Sequence, residues 1–156
     1  MPKLLNFNFM RKLNEICEIE VVYKRPAIAS MKYIQRCEEI VDVFRKLITD
    51  EKIDLKEFFL VALLSRNNLV LGVSIVNVGS TNVTIVNVKE IIQLAIKTNA
   101  SAIIIGHNHP SGNLKPSDND ISITRKIKTV CETCDITLLD HIIMTSEGHY
   151  SFIDEI

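Results

Sequence analysis

The chain has 156 residues, of which 47% are hydrophobic and 24% are charged, and its formal net charge is −1. The apolar content excludes a disordered chain, and five Gly and four Pro exclude a collagen-like or low-complexity one. The near-zero net charge argues against a strongly basic nucleic-acid-binding surface. Abundant isoleucine and valine favour a substantial β-sheet in a domain large enough to bury its own core.

Hydropathy and cysteine usage indicate the compartment. The N-terminal segment lacks the continuous apolar run, followed by small residues, that marks a secretory leader. No apolar run approaches the roughly 18 residues that cross a bilayer. We therefore expect a cytoplasmic protein with no membrane partner, whose cysteines are reduced and mostly buried. They are Cys17, Cys37, Cys131 and Cys134.

The first predicted element is a strand over residues 18–24, which Pro26 closes. Ser30 then offers the N-cap of a helix whose apolar residues recur at spacings of three and four. These apolar residues are Met31, Ile34, Cys37, Val41, Phe44 and Ile48. We treat both elements as an N-terminal extension, residues 1–50, that packs on a core domain of residues 51–156.

A β-hairpin is predicted next, because the apolar runs 57–65 and 69–78 flank the turn-forming tripeptide at 66–68. Residues 79–82 predict a further turn, and residues 83–86 a short strand.

Helices and strands alternate in the second half of the chain. Asn87 and Glu90 predict the capped start of a helix that ends near Asn99. Residues 102–106 are a short apolar run typical of a buried central strand. The remaining predicted elements are a helix from Ser117 to about Cys134 and closing strands over 136–144 and 149–153. The pattern predicts an α/β fold with a mixed β-sheet flanked by helices.

Two of the four histidines, His107 and His109, directly follow the predicted central strand. In an extended chain, residues two apart point to the same side, so both imidazoles can reach one ion. Asp120, at the start of the next predicted helix, would supply an oxygen ligand. Two histidines and one carboxylate leave a zinc ion with an open position, which is typical of catalytic sites, where a water becomes a nucleophile near neutral pH.

The same residues have structural alternatives. Ser117 and Asp120, three apart, equally suit the N-terminus of a helix. Pairs of surface histidines also occur without a metal. The contiguous letters His-Asn-His carry no weight as a nuclease motif, because that motif spreads its residues over a ββα unit.

The pattern His107-x-His109, seven residues, Ser117, two residues, Asp120 resembles the JAMM signature of the JAB/MPN metalloprotease fold, which has a cytidine-deaminase-like architecture. The flanking segments HNHPSG, PSDND, ITRKIK and LLDHIIM resemble the RadC branch of that family. The resemblance covers residues 57–152.

The resemblance implies that His107, His109 and Asp120 hold Zn²⁺. It implies that Glu57 takes a proton from the metal-bound water and returns it to the leaving amine. The Ser117 hydroxyl would then stabilise the oxyanion. The implied reaction is hydrolysis of a peptide or isopeptide bond in a substrate of unknown identity. From the residues alone, Glu57 equally suits a solvated acid at the start of a strand.

The sequence departs from RadC-like chains in two places, of which the first bears on DNA as a partner and the second on the local loop. The residues before Glu57 show no glycine-bearing hairpin of the helix-hairpin-helix type that binds DNA. Relatives commonly read Pro-Arg-Glu at the segment Val88-Lys89-Glu90, so the proline is lost and the cation is kept.

Two other functions stay open. One is a DNA-repair accessory that binds DNA or a protein partner on this fold without hydrolase activity, although the net charge does not support DNA binding. The other is a metal-binding pseudo-enzyme. A homodimer is open as well, because apolar strands serve either a core or a dimer edge.

The remaining candidates are interpreted as structural. Cys131 and Cys134 form a lone CxxC late in a helix, where a redox role is not favoured. His141 is expected to support the site without ligating, and His149 to lie at the surface in a turn. The basic residues near the site suit a solvated helix face, with contact to an acidic substrate or nucleic acid as the alternative. They are Lys115, Arg125, Lys126 and Lys128.

Overall fold

The protein, seen in a computed structural model, is built on a five-stranded sheet. The structure describes residues 20–79 and 86–152. Its strands are β1 (Glu57–Leu64), β2 (Val70–Gly79), β3 (Ala102–Asn108), β4 (Thr137–Met144) and β5 (His149–Ser151). Its helices are α1 (Cys37–Arg45), α2 (Asp50–Ile53), α3 (Val88–Lys97) and α4 (Asp118–Thr133), and a 3₁₀ turn spans Ile28–Ser30.

The sheet is mixed, with strand order β2-β1-β3-β4-β5. β1 runs antiparallel to both β2 and β3, and β4 is antiparallel to β5. β3 and β4 are parallel and are joined through α4, because parallel neighbours need a crossover. β3 is therefore the central strand, and each of its residues is buried. This position places its carboxyl end beside the start of α4.

Alternate residues of the strands feed two hydrophobic clusters on opposite faces of the sheet. One cluster contains Phe44 of α1 with Leu60 of β1, and the other contains Phe59 of β1 with Ile127 of α4. A side chain at Gly106 would place its Cβ 2.6 Å from the ring of Phe44. The glycine therefore allows α1 to pack closely on the central strand.

Most predicted elements are confirmed. The hairpin, the central strand, the two closing strands and the helices α3 and α4 all form, and the mixed sheet flanked by helices is the predicted fold class. Asn87 caps α3 by accepting from the backbone N–H of Glu90. The predicted turn at 79–82 and strand at 83–86 fall largely on residues 80–85, which lie outside the described residues. The division of the chain at residue 50 stays a prediction.

The predicted N-terminal strand is wrong over its described part, residues 20–24, which has no regular secondary structure. Residues 18 and 19 lie outside the described part of the chain. Tyr23 instead contacts β2 through its side chain, with its hydroxyl donating to Leu71 O at 2.8 Å. Val21 and Val22 are exposed, so this segment lacks the buried face that would fix a strand.

The first long helix begins later than predicted. Ser30 ends the 3₁₀ turn, and its hydroxyl donates to Ala27 O at 2.8 Å, so it caps no helix. α1 begins at Cys37, where the Glu39 carboxylate accepts from the backbone N–H of Arg36. Among residues 20–79 and 86–152, no helix is long and apolar enough to cross a bilayer.

Candidate metal centre

Two histidine side chains meet where β3 ends, next to the start of α4. His107 is almost fully buried, and its ring stacks on that of Phe59 in β1 at a centroid distance of 5.9 Å. His109 follows the strand, and the centroid of its ring lies 4.7 Å from that of His107. Both imidazoles therefore lie on one side of the sheet, as the spacing of two residues predicts.

Asp120 completes a group of three side chains with ligand atoms. His107 Nε2 and His109 Nε2 lie 2.9 Å apart. Asp120 approaches His107 Nε2 through Oδ1 at 3.1 Å and His109 Nε2 through Oδ2 at 3.4 Å. The structure thus brings together the three residues that the sequence predicted as metal ligands.

The proton on His109 is placed by a backbone carbonyl. His109 Nδ1 lies 2.6 Å from Asn113 O, and a carbonyl oxygen can only accept a hydrogen bond. Nδ1 therefore carries the hydrogen. In its neutral form, His109 points an unprotonated Nε2 at the group.

A chain of hydrogen bonds places the proton on His107. Thr124 Oγ1 donates its single hydrogen to Asp120 O, so His141 Nδ1 must donate to Thr124 Oγ1, 2.6 Å away. Burial holds the pKa of His141 well below its usual value, so that ring is neutral. Its Nε2 therefore accepts from His107 Nδ1 at 2.8 Å. With the hydrogen on Nδ1, the neutral form of the His107 ring presents a lone pair at Nε2.

Two lone pairs and a carboxylate that face one another favour a cation between them. The hydrogen bond to Asp120 raises the pKa of His109, although burial opposes it. Burial raises the pKa of Asp120, but the hydrogen bonds that His107 and His109 donate when they are also protonated at Nε2 outweigh it and bring that pKa well below its ordinary value. The site is therefore suited to one positive centre, whether a proton or a metal ion.

The donor set and its spacing fit zinc. Ligand bonds of about 2.0–2.2 Å in a tetrahedron put neighbouring ligand atoms about 3.3 Å apart. The two Nε2 atoms lie 2.9 Å apart, and the nearest Asp120 oxygens lie 3.1 Å from His107 Nε2 (Oδ1) and 3.4 Å from His109 Nε2 (Oδ2). With one ligand atom taken from each residue, all three lie within 4.8 Å of one another. Two imidazoles and one carboxylate also leave a fourth position free, as catalytic zinc sites do.

Ser117 is the N-cap of α4, as the structural alternative predicts. Its Oγ accepts from Asp120 N at 3.2 Å and donates to Asp120 Oδ2 at 2.6 Å. Its backbone N–H also donates to Oδ2, at 2.7 Å. Because Oδ2 takes both bonds, Oδ1 is the less occupied oxygen and the better ligand atom. Capping and ligation are therefore compatible uses of Asp120.

Glu57 is half-buried at the first residue of β1 and lines a cavity of about 500 Å³ with His109, Ser117 and Asp120. In the ladder of β1 and β3, Phe59 lies opposite His107, and Glu57, two residues before Phe59 in β1, lies on the same face of that strand. Its negative charge contributes to the raised pKa of His109, after the larger effects of Asp120 and Asn113. Glu57 therefore faces the site that the resemblance assigns to it.

Three residues of the site were missed by sequence reasoning. Asn113 holds His109, Thr124 holds His141, and the buried Asn108 joins β3 to the chain before β1. Thr124 carried a weak signal, since it is a polar residue on the same helix face as the buried Ile127. The other two carried none, because their roles depend on contacts that only the fold creates.

The lesser candidates behave mostly as structural residues. Cys131 is buried and Cys134 is half-buried, and desolvation raises the pKa of the Cys131 thiol to about 11, so it stays protonated. His149 is half-buried and begins β5, so its predicted place in a turn is wrong. Lys126 lines the cavity beside His109 and Asp120, whereas Arg125, which is equally exposed, does not line it.

Comparison with known proteins decides the family. Residues 34–156, more than half of the chain, match the family model described as the RadC-like JAB domain. The chain belongs to this family. The resemblance seen in the motif and the α/β fold that it implied are therefore both confirmed.

Relatives within the family differ in how much of the chain they match. A UPF0758 protein of Alkaliphilus metalliredigens is 35% identical over 140 residues, which cover 90% of this chain and 60% of the relative. A UPF0758 protein of Flavobacterium johnsoniae is 42% identical over 99 residues, covering 64% of this chain and 43% of the relative. The chain thus spans about half the length of these curated relatives. Their names specify no activity, so the function rests on the chemistry of the site.

Proposed function

We propose that the protein is a zinc-dependent metallohydrolase that cleaves a peptide or isopeptide bond. The observation that carries the proposal is the convergence of His107 Nε2, His109 Nε2 and the Asp120 carboxylate, two of which, His109 and Asp120, line a cavity together with Glu57. JAB domains include metallohydrolases, as the resemblance implies, and this donor set is the type that such enzymes use.

Zinc at these ligands would supply a Lewis acid that activates water and polarises a carbonyl group. Imidazole and carboxylate ligands suit zinc, and they leave room for substrate at the fourth position. His141 and Asn113 serve the ligands by fixing the ring orientation and the protonated nitrogen of His107 and His109.

Glu57 is the proposed proton carrier. An ionised carboxylate at the cavity wall accepts the proton of the attacking water and then donates it to the nitrogen of the leaving amine. Such a transfer requires a group that reaches both the water and the leaving group. The place of Glu57 on the cavity wall with His109, on the same face of β1 as Phe59, suits that requirement.

Ser117 would stabilise the developing oxyanion only after its hydroxyl rotates. The hydroxyl hydrogen points at Asp120 Oδ2 in the present arrangement. Asp120 Oδ2 keeps the backbone N–H of Ser117 as a second donor, so releasing the hydroxyl leaves this oxygen with a hydrogen bond. The side chain can therefore turn its donor to a substrate oxygen.

The cavity wall indicates how a substrate is held. Phe59, Val86 and Ile123 form its apolar part, while Asn119 and Lys126 add polar groups. A volume of about 500 Å³ lies in the range of sites that bind small ligands or short peptide segments.

The test is an unbiased peptide and isopeptide cleavage screen of the zinc-loaded wild-type protein beside the Glu57→Gln variant. We expect cleavage by the wild type and loss of turnover in the variant, with zinc retained in both. Zinc binding without cleavage of any substrate would instead support a pseudo-enzyme. Salt-dependent DNA binding by the same chain, without cleavage, would support the accessory role.

A further inference from the structure

We infer that Asn108, between the two proposed histidine ligands, is a positioning residue that holds Glu57 against the metal centre. This inference rests on the proposed function, because it gives Glu57 the role of proton carrier. The inference concerns the contacts that hold Glu57 in place, and the proposed function already identifies Glu57 as the general base.

The Asn108 side chain is fully buried and makes three hydrogen bonds across the sheet. Its Nδ2 donates to Ile53 O at 2.6 Å and to Lys56 O at 2.7 Å. Its Oδ1 accepts from Phe58 N at 2.8 Å. The amide orientation is determined, because two carbonyls can face only the NH₂ group and the Phe58 N–H can face only the oxygen.

The three backbone groups that the Asn108 side chain contacts lie on both sides of Glu57 in the chain. Lys56 and Phe58 are its two neighbours in the chain, and Ile53 ends α2 just before it. The regular ladder between β1 and β3 begins at Phe59. Before that residue, the Asn108 side chain ties β3 to the backbone on both sides of Glu57.

Asn108 does this from the opposite face of β3. Successive residues of a strand alternate between faces, so Asn108 points away from the side where His107 and His109 meet Asp120. Its contacts with α2 confirm this direction. Loss of the Asn108 amide should therefore release Glu57 while the three ligand side chains keep their contacts.

A paramagnetic ion can measure the position of Glu57 without an enzyme assay. The wild-type chain, labelled with ¹³C at glutamate carboxyls, is titrated with Co²⁺ as a zinc substitute, and the Glu57 signal is assigned by its loss in Glu57→Gln. We expect Co²⁺ to broaden this signal strongly in the wild type. In Asn108→Ala we expect Co²⁺ affinity to be kept and most of the broadening at Glu57 to be lost.

A matched control separates positioning from general stability. Leu64→Ala removes a fully buried side chain at the end of β1, the strand that begins at Glu57. It should leave the broadening at Glu57 unchanged. If Asn108→Ala does not fold, Asn108→Asp serves instead, because it keeps an acceptor for Phe58 N but sets a carboxylate oxygen against the two carbonyls. The broadening should be reduced there too.

The outcomes distinguish the two proposals. Tight Co²⁺ binding with the same broadening in wild type and Asn108 variants would overturn the role of Asn108 and leave the metal centre standing. A wild-type chain that binds no Co²⁺ would overturn the proposed function and this inference together.

Discussion

His107 Nδ1 lies 2.8 Å from His141 Nε2, on the edge of the imidazole opposite the Nε2 that faces Asp120. The bond joins a proposed ligand to a fully buried, neutral histidine. Thr124 then links His141 back to the carbonyl of Asp120, whose carboxylate faces His107 Nε2, so two of the three proposed ligands belong to one ring of polar contacts. This ring makes the proton positions of the site a property of the fold.

Thr124→Val should weaken zinc binding by about 10- to 100-fold, because His141 loses the acceptor that sets its own proton position and, through it, that of His107. A competition titration against a chelating dye measures this affinity. Thr129→Val is the matched control, since Thr129 makes the same type of bond in α4, to Arg125 O, away from the site. Equal affinities in the two variants would contradict the role of the ring.

Zinc affinity should fall as the pH decreases. The raised pKa of His109 means that a proton already competes with the metal at and above the ordinary imidazole pKa of about 6.5. The lowered pKa of Asp120 keeps this carboxylate ionised throughout that range. Affinity measured between about pH 8 and pH 6 should therefore decline steadily, and a constant affinity over this interval would argue against ligation by His109.

Glu57→Gln should lower kcat by about 10²- to 10⁴-fold, because glutamine cannot accept the proton of water. Zinc content should stay unchanged, since Glu57 is outside the group of converging ligand atoms. Steady-state kinetics on a substrate from the cleavage screen, with zinc content measured alongside, check both parts. Glu51→Gln, an exposed acid in α2, is the control and should keep full turnover.

Ser117→Ala should combine a stability loss with a catalytic loss. Removing the N-cap of α4 costs about 1 kcal/mol in the free energy of unfolding. Asn87→Ala removes the cap of α3 and should cost a similar amount, but it leaves the oxyanion donor in place. Chemical denaturation and kcat, measured for both variants, compare the two. Unchanged turnover in Ser117→Ala would limit Ser117 to capping.

The sequence predicted those parts of the site that depend on local pattern. His107 and His109 are two residues apart at the end of an apolar strand, and the strand period alone puts them on one side. Ser117 and Asp120 have the spacing of a capping box, which forms as expected. Because this box fixes the Asp120 side chain at the start of α4, its position was accessible from the sequence as well.

The rest depends on contacts between distant segments. Asn108 acts on residues 50 to 55 positions away, and no local pattern shows such partners. The start of α1 was misplaced for a related reason. Ile34 is buried like a helical core residue, but it lies in an irregular segment whose neighbour Tyr33 bridges to Leu69. Burial supplied by tertiary packing thus imitated a helical stripe.

The zinc content per chain of the purified protein tests the central claim most directly. We expect about one zinc per chain in the wild type and none in the double variant His107→Ala with His109→Ala. His149→Ala, which changes a half-buried histidine in β5, should keep the zinc. Stoichiometric zinc in the double variant, or a wild type that takes up none, would contradict the assignment of the metal centre.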